Sequence, residues 1–187
     1  MQEAISKYFI AIVPGEPLQE EIMNLKQYIH AGYTSKGALR SPAHITLHMP
    51  FEWKEKKEHE LIAKISKFRF APDHFTIELK NYACFEPRVI FLDVQENGLL
   101  KKLQKEFVNH AMKELNLFNQ AEDKRGFHPH ITIAFRDLKK QLFYKAWEEF
   151  KHRQFFSMFD CSSFFLMKQA DGKWETHYEF KLENPDV

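Results

Sequence analysis

This sequence predicts an α+β fold of two pseudo-symmetric lobes, each a small, mainly antiparallel sheet backed by helices, with a central cleft. Three observations carry that expectation. The order strand, helix, strand, helix, strand occurs twice along the chain. Two of the strands share one pattern, "HITL" at 44–47 and "HITI" at 130–133, at equivalent places in the duplication. The chain has 187 residues and no Pro/Gly/Ser-rich linker, which fits a single bilobal domain over 1–187, with lobes at roughly 1–90 and 88–187.

The elements follow from local pattern. "YFIAIVP" reads as the first strand, and Gly15-Glu16-Pro17 as a turn. Leu18, Ile22, Leu25 and Ile29 then recur at helical spacing. After "HITLHMPF" comes an amphipathic segment with Leu61, Ile65 and Phe68, then a strand "FTIELKNYACF". The second unit begins with "VIFLDV", turns at Asn97-Gly98, and continues as a helix with Leu99, Leu103, Phe107, Ala111 and Leu115. "HITIAF" follows, then a helix with Leu138, Leu142, Ala146 and Phe150. The closing "SSFFLMKQADGKWETHYEFKL" reads as a hairpin turning at Ala170-Asp171-Gly172.

Composition narrows the partners. Lys and Arg number 27 against 26 for Asp and Glu, so no global field draws the chain to polynucleotides or anionic membranes, and any nucleic-acid contact must be local. Cys84 and Cys161 are too few for a disulfide framework and lack metal-type spacing, which points to a reducing compartment. The apolar run from Tyr8 to Val13 is too short for a signal or membrane helix. The expectation is a cytoplasmic protein with no membrane association and no protein partner, monomeric by default. Most of its 19 Phe fill the core.

With ten His and five Thr, random placement gives about a quarter of one His-x-Thr triplet, yet there are three: His44-Ile45-Thr46, His74-Phe75-Thr76 and His130-Ile131-Thr132. The middle one opens a strand with no counterpart in the other unit and is read as a decoy. Alternate residues of an extended segment share a face, so His44, Thr46 and His48 project together, as do His128, His130 and Thr132. One such pair is what any half-exposed strand can show. Two in matched contexts are a different matter, because fold maintenance has no need of the same ionisable residue at both places. Two imidazoles with reference pKa values of about 6.5 can be held in opposite protonation states, one accepting a proton from a nucleophile and one giving a proton to a leaving group. A hydroxyl beside each imidazole can donate to a phosphate oxygen. Four such groups around one tetrahedral anion suit in-line displacement at a phosphodiester, with no metal or cofactor required.

The duplicated His-Ile-Thr strands, together with "YFIAIVPGEPL", "FEPRVIFLDV" and "FHPHITIA", resemble the two-histidine (2H) phosphoesterase superfamily, whose best-known bacterial branch is the 2′-5′ RNA ligase/RNA 2′,3′-cyclic phosphodiesterase group. The resemblance in order spans essentially the whole chain. It implies a metal-independent hydrolase, acting on the 2′,3′-cyclic phosphate or 2′-5′ linkage of an RNA terminus or small nucleotide. It places catalysis on His44 and His130 and phosphate binding on Thr46 and Thr132, without saying which histidine is the base or whether ligation or hydrolysis dominates. A basic residue often follows the second motif in that family; here Phe135 intervenes and Arg136 is the candidate, on the His130/Thr132 face if the strand stays regular. His48 and His128 are flanking candidates for substrate contact. Phe51 and Phe85 are near enough in sequence to stack a base, though core packing is the plainer reading. Lys36 and Arg40 precede His44, and Lys124 and Arg125 precede His130; these loops are candidates for a local basic rim. Two alternatives stand beside this reading: a non-catalytic nucleotide or RNA-end binding module using the same cleft, and a metal site built from His44, His48, His128 and His130, which lacks any carboxylate or thiolate at ligand spacing.

Overall fold

Strand β1 (Ile5–Ile12) alternates across its two faces. Tyr8, Ile10 and Ile12 enter the main core, while Phe9 and Ala11 face the other way and form a small second cluster with Met167. The computed structural model describes residues 3–119 and 126–183. Helix α1 (Leu18–Tyr33) carries Glu20 and Glu21 in its first turn, where carboxylates suit the helix dipole, and buries Leu18, Ile22, Lys26 and Ile29. It stops where Thr34 takes a left-handed φ of 59° and its N–H bonds the His30 carbonyl. A single 3₁₀ turn at Gly37–Arg40 leads into β2 (Ile45–Lys54).

Helix α2 (Glu58–Ile65) buries Leu61 and Ile65; Phe68 lies past its end but is still buried. Strands β3 (Phe75–Phe85) and β4 (Val89–Val94) form a hairpin. Helix α3 (Gly98–Leu115) is capped by Asn97, whose side-chain oxygen accepts from the Leu100 N–H at 3.0 Å. Then come β5 (His130–Ala134), α4 (Lys140–Phe150), β6 (Phe156–Cys161), β7 (Ser163–Ala170) and β8 (Lys173–Lys181). The expected turn joins β7 to β8: Asp171 and Gly172 have φ of 48° and 76°, the pair of positive values that a two-residue hairpin loop needs.

The strands make two four-stranded sheets, β2-β1-β7-β8 and β5-β4-β3-β6, and every pairing is antiparallel. This order redraws the lobes. A division at 88–90 would cut the β3–β4 hairpin, whose short connection keeps the two strands in one sheet, and the C-terminal β7–β8 hairpin returns to pair with β1. Each sheet therefore mixes both halves of the chain, and the lobes are interlaced. The helices and the inward faces of both sheets share one core, including Ile10, Ile45, Leu47, Ile90, Leu92, Ile131 and Ile133. Among the described residues no helix is long and apolar enough to cross a membrane.

Candidate functional site

Each His-x-Thr triplet begins where a turn enters a strand next to the central β1 or β4. Thr46 lies opposite Ala11 and Ile45 opposite Ile12. Thr132 lies opposite Phe91 and His130 opposite Asp93. β2 and β5 approach each other where the two sheets meet. The two imidazoles are oriented alike. His44 Nδ1 donates to the Pro42 carbonyl at 2.8 Å, and His130 Nδ1 donates to the His128 carbonyl at 2.7 Å, each two residues back along the chain. A ring committed at Nδ1 presents Nε2 as its reactive nitrogen. Each ring also rests on a phenylalanine of the neighbouring strand: Phe9 at 4.9 Å from His44, and Phe91 at 4.7 Å from His130, both at 49° between planes.

Electrostatics distinguishes the pair. Burial lowers His44 to about 4; the bond to Pro42 opposes this, and the charges of Lys26 and His130 push the same way as burial. Burial also lowers His130, opposed by the bond to the His128 carbonyl; the nearby His128 lowers it further, and Asp93 raises it. The two imidazoles, 86 positions apart, stand at the starts of the two strands that approach each other, and the His130 charge adds a small lowering to His44. One register step beyond the Ile12–Ile45 pair, the position opposite His44 is Val13, where the other strand pair has Asp93.

Both triplets end in the same irregularity. Ile10 faces His48, with Leu47 the extra residue, and Ile90 faces Ala134, with Ile133 the extra residue. Such a bulge puts two residues against one and turns the next side chain to the other face. This corrects the expectation that His48 projects with His44 and Thr46. His48 is 1% exposed on the core side, edge-on to Phe51 at 5.6 Å, with Nδ1 bonded to the Met49 carbonyl. Burial lowers its pKa. Phe51 packs there too, stacked on Tyr8, and not beside the motif imidazoles.

Arg136 differs as well. β5 ends at Ala134, residues 135–138 turn, and the guanidinium lies over the ring of Phe135 at 5.3 Å, so the regular strand that would have put it beside Thr132 is absent. His128 lies beside His130: its Nε2 is 3.5 Å from Asp93 Oδ1, and its ring lies 6.2 Å from that of His130. Phe85 stands edge-on to both, at 5.2 Å from His130 and 5.3 Å from His128. The decoy His74 is exposed and pairs with Asp73, while Thr76 bonds Asp160. Lys36 and Arg40 are exposed before β2; Lys124 and Arg125 lie outside the described residues. Among the described residues no group of three or more His, Cys, Asp or Glu is placed to hold a metal.

Several site residues escape pattern reading: Phe9, Phe91, Asp93, Trp174, Gln19 and Lys26. Trp174 meets Phe9 edge-on at 4.7 Å and closes the His44 side. Asp93 and Lys26 did leave a signal, since each is a charge set among apolar neighbours, "VIFLDV" and the Ile22/Ile29 stripe.

Comparison with known proteins agrees with this architecture. A family model described as the 2′-5′ RNA ligase superfamily matches residues 14–173. A protein of Geobacillus sp. (strain WCH70), called a phosphoesterase by name alone, is 25% identical over 177 residues, covering 93% of this chain and 95% of its own. Among solved structures, Escherichia coli LigT complexed with 3′-AMP superposes with a TM-score of 0.66 at 21% identity, over 96% of this chain and 99% of that one. The same LigT has been solved with phosphate, ATP and NADP+. A Thermus thermophilus protein gives a TM-score of 0.64 at 16% identity, over 96% of this chain and 99% of that one.

Proposed function

The chain belongs to the 2′-5′ RNA ligase superfamily, and from that premise we propose that it is a metal-independent phosphodiesterase, cleaving a 2′,3′-cyclic phosphate or 2′-5′ linkage at an RNA end or in a small nucleotide. The observation that carries this reading is the pair of imidazoles fixed alike at Nδ1, each with a threonine hydroxyl two residues on. The phosphate lies between the two strands, and Thr46 and Thr132 donate to its non-bridging oxygens. Nε2 of one histidine takes the proton of the attacking oxygen, and Nε2–H of the other protonates the leaving oxygen.

The surrounding charges favour one assignment. His44, with Lys26 behind it, stays neutral and serves the attacking oxygen; His130, with Asp93 at its back, takes up the proton that the anionic substrate draws into the site. His128 and Phe85 border the leaving side. The nucleotides and phosphate bound by LigT, a neighbour in fold, support a cleft of this kind taking nucleoside phosphates.

The test is a panel of 2′,3′-cyclic nucleotides and short RNAs ending in a cyclic phosphate or containing a 2′-5′ bond, assayed with and without EDTA. His44→Ala and His130→Ala should each lower kcat by about two to four orders of magnitude while leaving the thermal transition in place. Thr46→Ala and Thr132→Ala should lose less, and chelation should change nothing. Folded histidine variants as fast as the parent would refute the assignment, and tight nucleotide binding without turnover would reduce the site to a binding module.

A further inference from the structure

Lys26 is 1% exposed within the apolar stripe of α1, and among the described residues it has no carboxylate partner. Burying an unpaired ammonium costs stability, and here burial lowers its pKa to about 8. Its Nζ donates to the Ser41 carbonyl at 2.9 Å. Gln19, seven residues earlier on α1, donates Nε2 to the Ala43 carbonyl at 2.9 Å and accepts from the Ala43 N–H at 2.6 Å. Between those two anchors the Pro42 carbonyl receives the Nδ1–H of His44. Residues 41, 42 and 43 are thus held one after another, and the imidazole is tied to the middle one. Among the described residues no helix side chain holds 127–129 in this way.

The geometry points to Lys26 as a positioning residue for His44: together with Gln19 it fixes the turn that aims the imidazole, and it keeps behind that turn a positive charge, unpaired among the described residues, that an incoming anion offsets. This rests on the phosphodiester reading above. Among the described residues, Lys26 from α1 and His130 from β5 are the charges that lower His44 beyond its burial. With the cleft empty, the Lys26 charge disfavours an imidazolium at His44 and keeps the Nε2 lone pair open. When a phosphodiester enters, its negative charge meets the Lys26 ammonium, which among the described residues is paired with no carboxylate that the substrate would have to displace.

The experiment compares the full-length parent with Lys26→Met, which keeps the shape and removes charge and donor, and Lys26→Gln, which removes the charge but keeps a donor. The His44 imidazole is titrated by NMR after histidine ring labelling, with its resonance assigned by its loss in His44→Gln. Both variants should raise the His44 midpoint by about half a pH unit or more. Lys26→Met should be at least as heat-stable as the parent yet about tenfold slower in kcat, with Lys26→Gln between. Midpoints unchanged in a folded variant, or turnover within twofold of the parent in both, would overturn the inference. Should one variant fail to fold, the other decides. Failure of the phosphodiester reading shows separately, as a His44→Ala protein that keeps full activity.

Discussion

Asp137 ties the exit of one motif strand to the approach of the other, and Asp137→Ala measures that tie. Its Oδ1 accepts from the Ser35 hydroxyl at 2.9 Å, and its Oδ2 from the N–H groups of Lys36 and Gly37 at 2.7 and 2.8 Å. Ser35 is 1% exposed, and its oxygen also receives the Phe135 N–H at 3.4 Å. Truncation leaves the buried hydroxyl without its acceptor, worth about 1–2 kcal/mol, while the two amides recover water and lose about 1 kcal/mol together. The sum is about 2–3 kcal/mol, or a fall in Tm of roughly 5–10 °C for a chain of this size. Asp137→Asn should lose only about 1 kcal/mol, because one amide oxygen still serves the backbone donors and the NH2 can donate to Ser35. Gly37→Ala perturbs the same contact from the other side, since its Cβ would stand 2.8 Å from Asp137 Oδ1. Urea unfolding supplies the free energies, and kcat on the best substrate reports whether the motif strands shift. A loss under about 0.5 kcal/mol for Asp137→Ala, or an asparagine variant as damaged as the alanine one, would refute the reasoning.

Two further outcomes follow from groups away from the site. Burial alone would raise the Glu58 carboxyl, but hydrogen bonds from Lys168, Tyr8 and His177 outweigh it and hold it down at about 2; a depressed carboxyl stabilises above its unfolded pKa, so the Tm gap between parent and Glu58→Gln should be full above about pH 4.5 and narrow as pH falls toward 2. A gap independent of pH would remove the carboxylate from the account. Burial pushes the Cys161 thiol up to about 12, so iodoacetamide at pH 8 should leave it unmodified until the chain unfolds, as peptide mass analysis would reveal; rapid alkylation of the folded protein would contradict its buried place in β6.

What the sequence made legible was set by the range of the interaction. His44–Thr46 and His130–Thr132 could be read because three-residue alternation is a local property of an extended chain. His48 could not, because the bulge that turns it inward is a matter of register against Ile10, and a one-residue slip exchanges faces. The helix stripes were legible from 3.6-residue spacing, and Lys26 stood within one as an anomaly; a lysine there usually runs its stem along the core and keeps its ammonium in water, so only the Ser41 contact gives it a place beside the site. The interlacing of the lobes hung on which sheet β3 and β7 would join, and strand pattern alone does not choose a partner. The Asp137 tie to residues 35–37 spans about a hundred positions and had no local trace.

The paired backbone raises a question that the side chains answer. Two strands, two bulges and two Nδ1-tethered rings would, if fully alike, give two imidazoles of equal basicity, and proton transfer through equals has no direction. The asymmetry lies off the motif strands. α1 carries a buried lysine toward the His44 turn, while α3 turns Leu100, Leu103, Phe107, Ala111, Leu115 and the uncharged Gln104 inward. β4 sets Asp93 opposite His130, while one step beyond the last β1–β2 pair, Ile12 with Ile45, the corresponding residue on the His44 side is the uncharged Val13. Burial lowers both rings; to it Lys26 adds a further lowering at His44, while at His130 Asp93 raises the ring against the neighbouring His128, so on the proposed reading the surroundings separate the two imidazoles without altering the geometry that both need. Removing those charges should therefore be tested as a pair. Lys26→Met alone brings the two histidines closer in basicity, and Lys26→Met with Asp93→Val should bring them closer still. The proposed division of labour requires kcat to fall with each step while the tethers and the fold stay intact; a double variant that recovered the parent's rate would show that proton direction is set elsewhere.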